Sequence, residues 1–326
     1  MFNRFKKKSK RYIAFDVNEY LIRAIVMNTS DIKQATIYEY PLNSGIFEGD
    51  ILVDEMALYD ILKKLVQEWA VKRYDVRFFV PDSSVMMKSF EHPSDVSTEK
   101  LKSYVEMELG RTIHLPFNQP LIDVYDYLPN DGEATLFAAP SEEINKLAGL
   151  LDDLSLHPTI ADVRPLSSIR FFEKTIGLAK GKSYLISEWA LDGVSISIYK
   201  DGKVEFLRHQ SIDISKEKWK FIIDNNQHQF TYNGNIEEYR GQLLDQIAEL
   251  DRILNFYRFS LYKGERAVDE IIVFGCSPEM DYIVSEMRSS FNTPIQNIND
   301  GKVQAFHANF SSKDIPLIGL IYREEQ

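Results

Sequence analysis

The stretch Tyr12 to Met27, YIAFDVNEYLIRAIVM, decides how the rest of the chain is read. Tyr12-Ile13-Ala14-Phe15 is an apolar run, Asp16 to Tyr20 is polar and turn-like, and Leu21 to Met27 is apolar again. This is the pattern of two short strands joined by a tight turn. A carboxylate at the end of a buried strand suits a site that places charge beside a phosphate or its metal ion. The same residues also make an ordinary N-terminal hairpin with a solvated Asp, so the later chain has to choose.

Working outward, the pattern returns. Tyr184 to Glu188 reads as a strand, Trp189 to Asp192 as a turn, Gly193 to Tyr199 as a second strand, and Asp201-Gly202 as a hairpin into Lys203–His209. Glu188 stands where Asp16 stood. Between the two openings, Ile32 to Tyr40 predicts a third strand, Leu52 to Lys72 a helix, and Asp75 to Val80 a strand ended by Pro81. Strand, strand, strand, helix, strand is an α/β beginning. Ser84 to Phe90 predicts another strand. A helix from about Thr98 to a stop at Gly110 follows, then strands Leu121–Leu128 and Glu133–Ala139 around the turn Pro129-Asn130-Asp131-Gly132. Ser141 is placed as the cap of the next helix, and the block from Ser84 to about Ser155 reads as an inserted small α+β subdomain. Pro158 to Val163 is a strand and Pro165 opens a helix.

The linker Gly177 to Lys182, GLAKGK, divides the chain into 1–180 and 181–326. Gly181-Lys182-Ser183 is not a P-loop, because Gly177 lies one position too close and a strand, not a helix, follows. In the second half Glu237 to Tyr262 predicts one long helix packed across the domain. Glu270 to Phe274 predicts a buried strand running into Gly275-Cys276-Ser277-Pro278, a small-residue turn that lets a ligand approach the backbone. Two halves with the same start indicate a duplicated fold with a cleft between them.

Composition narrows the function. The 326 residues are 44% apolar and 27% charged, as in water-soluble globular proteins. Cys276 is the single cysteine, so no intrachain disulfide forms and a reducing compartment is expected; no apolar run approaches the ~18 residues of a membrane span. The formal charge is −11, yet Arg4, Lys6, Lys7, Lys8, Lys10 and Arg11 crowd the N-terminus. The acidic body argues against nucleic acid, whereas the basic tail, with Phe2 and Phe5, matches an anionic membrane surface or a solvated terminus. The expected location is cytoplasmic, at the inner face of the cell membrane. The six histidines are scattered, which argues against a His-based metal site, and Cys276 reads as a packing residue.

The order and spacing of the three loops resemble the actin-like ATPase superfamily, and within it the PilM-like, FtsA-related type IV pilus assembly proteins. Asp16-Val17 with Arg23-Ala24 resembles the first phosphate loop. Val80-Pro81-Asp82-Ser83-Ser84-Val85, the helix to Gly110 and Leu115-Pro116-Phe117 resemble the family's inserted subdomain. Leu250-Asp251-Arg252, the Gly275 turn and Ile318-Gly319-Leu320 complete the series. The resemblance implies a two-lobed actin-like fold, a duplicated ribonuclease-H-like α/β unit. It also implies an ATP and Mg site at Asp16, Asn18, Glu19, Tyr20, Arg23, Glu188, Ala190, Gly275, Cys276 and Ser277. Asp16 and Glu188 could share a divalent cation or simply be solvated.

The chain departs from the pattern in all three loops. Asn18-Glu19-Tyr20 replaces glycine and small hydroxyl residues, Glu188-Trp189-Ala190 replaces Asp-x-Gly, and the glycine run is reduced to Gly275. A missing glycine and an added carboxylate crowd and repel a phosphate. The expectation is a nucleotide fold with weak ATP binding and negligible turnover; no catalytic base is assigned. Two functions of different classes follow. One is a scaffold that holds the cytoplasmic N-terminal peptide of a PilN-like membrane protein beside the inserted subdomain. The other is an active ATPase or sugar kinase of the same superfamily. For the scaffold, Met86, Met87 and Phe90 on one strand and Tyr125 and Tyr127 on another are the candidate peptide contacts; alternatively they form the subdomain's own core.

Overall fold

The computed structural model describes residues 11–324 except 130 and 225–226. The basic and aromatic residues expected to meet a membrane, from Phe2 to Lys10, and Asn130 of the expected turn lie outside the described residues.

In the first half, β1 (Tyr12–Val17) and β2 (Leu21–Met27) form the expected hairpin, with Asp16 opposite Arg23. Every residue of β2 is buried, because the sheet is covered on both faces. β3 (Thr36–Pro41) starts late, since Asp31 caps a short 3-10 turn over Ile32–Gln34. A two-residue hairpin, β4 (Phe47–Glu48) and β5 (Ile51–Leu52), leads into α1 (Glu55–Glu68), where Asp54 caps the Ala57 amide. β6 (Asp75–Phe79) runs parallel to β1.

Asp82–Ser84 forms a 3-10 turn, so β7 (Met86–Glu91) begins two residues after the expected Ser84. Then come α2 (Leu101–Glu108), β8 (Pro120–Tyr125), β9 (Glu133–Pro140) and α3 (Ser141–Asp153). Ser141 is not a cap: Pro140 carries β9 straight into the helix, and no side chain caps it. The sheet β7-β9-β8 and α2 share a small core of Val105, Ile113, Leu136 and Ala138. α3 is different, because Ile144, Leu150 and Leu151 pack into the core of the first lobe. β10 (His157–Asp162) adds to β6, and α4 (Arg164–Thr175) follows with Pro165 in its first turn.

The second half repeats the plan. β11 (Ser183–Trp189), β12 (Gly193–Lys200) and β13 (Lys203–Ser211) form a meander. β14 (Trp219–Asp224) and β15 (Gln227–Tyr232) form a hairpin that the sequence reading did not resolve. α5 (Ile236–Asn255) buries Tyr239, Leu243, Ile247, Leu250 and Ile253, and passes into a π-helical stretch at Phe256–Leu261. β16 (Glu270–Gly275), α6 (Met280–Ser290), β17 (Ile295–Asn297), α7 (Asp300–Gln304) and α8 (Ile315–Ile321) complete the chain.

The two sheets are ordered β3-β2-β1-β6-β10 and β13-β12-β11-β16-β17. Each has an antiparallel meander on one side and parallel strands on the other. This is one α/β unit built twice. A third core joins the lobes: Ile25, Phe79 and Phe172 of the first half meet Ile186, Phe274 and Ile318 of the second. Within it α8 crosses back onto α4. Gly319 lies against Ser167, where an added Cβ would overlap the Ser167 carbonyl oxygen, and Arg170 donates to the Gly319 carbonyl at 2.8 Å.

Candidate functional site

The loops that end β1, β11 and β16 converge on one cleft between the lobes. It contains about 1220 Å³ of empty space, open solvent included, and Asp16, Asn18, Tyr20, Arg23, Glu188, Ala190 and Cys276 all line it. Glu19, Gly275 and Ser277 stand outside the lining. The sequence reading missed Asp82, Arg164, Ser195 and His209, which also line the cleft. These four are far apart in the chain, and no spacing pattern connects them.

At the first loop, Asp16 is 2% exposed. Its two oxygens accept from Arg164 Nη1 and Nη2 at 3.0 and 2.7 Å. Arg164 Nε donates to Asp82 Oδ2 at 2.8 Å, and its guanidinium carbon lies 4.6 Å from the Phe79 ring centroid. Burial alone would raise the Asp16 carboxyl, but the charge and hydrogen bonds of Arg164 overcome it and hold Asp16 below the usual range. The turn amides are also occupied. Asn18 Oδ1 accepts from the amides of Tyr20 and Leu21 at 2.9 and 3.1 Å, closing an Asx turn where a phosphate loop would point free N–H groups at its ligand. Tyr20 is 3% exposed and belongs to the core of the second lobe, edge-on to Phe230. Lys216 donates to the Glu19 carbonyl and lies over the Tyr20 ring.

The second loop is as closed. Trp189 is fully buried, and its carbonyl accepts from the amides of Cys276 and Ser277 at 2.9 and 3.1 Å. Gly275, at φ +142°, is needed because a Cβ there would overlap the Trp189 backbone. The glycine thus answers to a neighbouring strand, and no ligand is required to explain it. Ser277 bonds Tyr239 instead of facing the cleft. Burial pushes the Cys276 thiol up to about 11, which makes it a poor nucleophile.

Glu188 behaves unlike Asp16. Its Oε2 is enclosed without a hydrogen-bond partner, and burial pushes the carboxyl up to about 8. Asp192, likewise raised by burial, stands at about 6. Ser195 Oγ bonds both Asp82 Oδ2 and His209 Nδ1 at 3.1 Å, which carries the network into the second lobe. Arg23 Nε bonds Glu39 at 2.7 Å and its Nη1 donates to the Lys313 carbonyl at 3.0 Å; Lys313 Nζ also reaches Glu39, at 2.9 Å.

A magnesium–nucleotide does not fit this donor set. Both oxygens of Asp16 accept from Arg164, burial raises the Glu188 carboxyl to about 8, and the amides of Tyr20, Leu21, Cys276 and Ser277 are taken by Asn18 and Trp189. The cation allowed between Asp16 and Glu188 therefore lacks ligands, and among the described residues no group of three or more His, Cys, Asp or Glu side chains could hold a metal.

The candidate peptide contacts separate. Met86, Met87 and Phe90 are all half-buried; Met87 packs against the core between the lobes and Phe90 against the subdomain core. Tyr125 and Tyr127 are open, at 46% and 39% exposure, and both lean on Gly202 of the β12–β13 hairpin.

Two lobes of repeated α/β topology with a cleft between them define a protein of the actin-like fold. Within that class, the chain belongs to the family of type IV pilus assembly proteins PilM, whose family model matches residues 15–301. A solved structure described as the PilM–PilN type IV pilus biogenesis complex superposes with a TM-score of 0.74 at 14% identity, covering 96% of this chain and 98% of that one. A Bacteroides thetaiotaomicron protein with an actin-like ATPase fold and unknown function gives 0.48 at 11% identity, covering 99% and 100%. MreB5 of Spiroplasma citri bound to ADP gives 0.48 at 11%, covering 96% and 95%. A search of curated protein sequences finds no match. Among the described residues, no helix is long and apolar enough to cross a membrane.

Proposed function

We propose that this chain is a scaffold of a type IV pilus assembly platform. It captures the cytoplasmic N-terminal segment of a PilN-like bitopic membrane protein beside its inserted β7-β9-β8 subdomain. The single observation that carries this is family membership over most of the chain, joined to the likeness to a PilM–PilN complex. The cleft supports it from the other side: Asp16 and the amides of Tyr20, Leu21, Cys276 and Ser277 are already bonded within the protein, so a binding role accounts for the fold better than turnover does. The lobes divide at 177–182, and the basic tail keeps the protein at the inner membrane face.

The open apolar groups of the subdomain, Leu121, Tyr125 and Tyr127, are available to a peptide. Capture of a PilN-like protein from solubilised membranes tests the reading. The full chain should retain it. A Leu121→Asp, Tyr125→Asp variant should lose most of it, and a chain without residues 1–11 should lose less. Equal capture by the Asp variant would reject the subdomain as the docking site.

A further inference from the structure

The cleft has a cation, and it is part of the chain. Arg164 opens α4, so its guanidinium projects from a helix start beside the ends of β1 and β6. It meets Asp16 through two N–H groups and Asp82 through a third, with the face of Phe79 against it. Such a fork matches a carboxylate in a way that a point charge does not. Burial would weaken the guanidinium's charge, but Asp16 and Asp82 more than offset that, so Arg164 stays charged at every working pH. Asp82 then passes the contact on to Ser195 in the second lobe. The chain of bonds Asp16–Arg164–Asp82–Ser195 therefore crosses the cleft from lobe to lobe.

We propose that Arg164 is the resident cation of this cleft. It ties Asp16 and Asp82, two carboxylates of the first lobe, to each other, and through Asp82 it holds Ser195 of the second lobe. Beside the apolar core that the lobes share, this side chain fastens the mouth of the cleft, and that fastening does not answer to nucleotide. This rests on the reading of the cleft as one without a phosphate cradle; it does not depend on the partner.

The full chain, Arg164→Ala and Arg164→Lys are compared by thermal unfolding and small-angle scattering, each with methylguanidinium, with magnesium–ATP and with sodium chloride of equal ionic strength. The alanine variant should unfold about 6–10 °C lower, as expected for a buried carboxylate left without its partner, and show a larger radius of gyration. Millimolar methylguanidinium should restore most of both, and magnesium–ATP should restore neither. The lysine variant should fall less and gain nothing from methylguanidinium. Stabilisation of the unaltered chain by magnesium–ATP would overturn the cleft reading itself, and this inference with it. An alanine variant that methylguanidinium does not rescue, while ATP leaves the unaltered chain unmoved, would overturn the resident cation alone. If the alanine variant does not fold, Ser195→Ala carries the test: it keeps Arg164 and Asp16 paired, and an unchanged radius of gyration would overturn the strap.

Discussion

Asp16 and Glu188 occupy matching places in the two lobes, at the ends of β1 and β11, each beside a parallel strand. Their neighbours differ. The residue opposite Asp16 on β2 is Arg23, and Arg164 reaches it from α4; the residue opposite Glu188 on β12 is Ser195, and no hydrogen bond completes its Oε2. One carboxyl is held ionised and the other is held protonated, on nearly the same backbone. A repeated fold therefore places side chains but does not set their charge; the cations brought by other elements do.

The largest effect expected from breaking this contrast is at Asp16. Asp16→Asn leaves the Arg164 fork facing a neutral amide and should cost about 3–5 kcal/mol, read by chemical denaturation. Glu188→Gln replaces a protonated carboxyl with a near-isostere that the unfolded chain cannot ionise, so at pH 6.5 it should cause no loss and instead stabilise by about 2 kcal/mol. Equal losses would show that the two positions are not electrically distinct.

Next comes Tyr20, the residue by which the first loop enters the second lobe. Tyr20→Ala removes a buried ring from among Trp189, Leu191 and Phe230 and should cost about 3 kcal/mol, mostly as a cavity. The same cut should lower the midpoint without creating affinity for ATP, because Arg164 and Asn18 remain.

The pH dependence separates the loops by sign. Glu188 has an ordinary value of 4.5 and stands at about 8 in the folded protein. The folded state therefore keeps a proton that the unfolded state gives up, so stability is full below 4.5 and falls as the pH rises toward about 8. The slope approaches about 1.4 kcal/mol per pH unit where one proton is at stake. Asp16 acts oppositely, since its lowered value contributes stability above the ordinary range that is lost on acidification. Glu188→Gln should flatten the alkaline fall and leave the acid limb intact. Asp192, at about 6, adds a smaller fall of the same sign as Glu188 and remains in the variant.

Much of this architecture was legible in the sequence. The apolar run, acid, turn and apolar run of 12–27 and its echo at 184–199 gave both hairpins, because strands buried on two faces must be apolar throughout. The π-helical end of α5 and the β14–β15 hairpin left no comparable trace: Phe256–Leu261 keeps a helical spacing, and Trp219–Tyr232 carries polar residues that follow neither period. The site divided in the same way. Asp16, Arg23 and Glu188 sit on the hairpins, so they were found. Arg164 was not, since a basic residue before Pro165 reads as a helix start, and only the fold carries it to Asp16, far away in the chain. Asn18 was read as a missing glycine, and its Asx turn depends on backbone geometry that the letters do not show.

The smallest effect tests whether the loops are merely worn or have been rebuilt. If erosion of the glycines were the obstacle, Asn18→Gly with Ala190→Gly would reopen the phosphate loops and ATP affinity would rise. The bonds argue otherwise. Removing Asn18 Oδ1 frees the Tyr20 and Leu21 amides, at a cost of about 1–2 kcal/mol, but they then face a cleft where Arg164 is committed to Asp16 and Asp82. The Ala190 amide stays bonded to the Gly193 carbonyl at 2.9 Å whichever residue stands there, and Trp189 still holds Cys276 and Ser277. Calorimetry on the double variant should therefore give a small loss of stability and no gain in ATP binding, with or without magnesium. A tenfold gain in affinity, worth about 1.4 kcal/mol, would mean that the glycines alone had closed the site and that Arg164 yields to a phosphate.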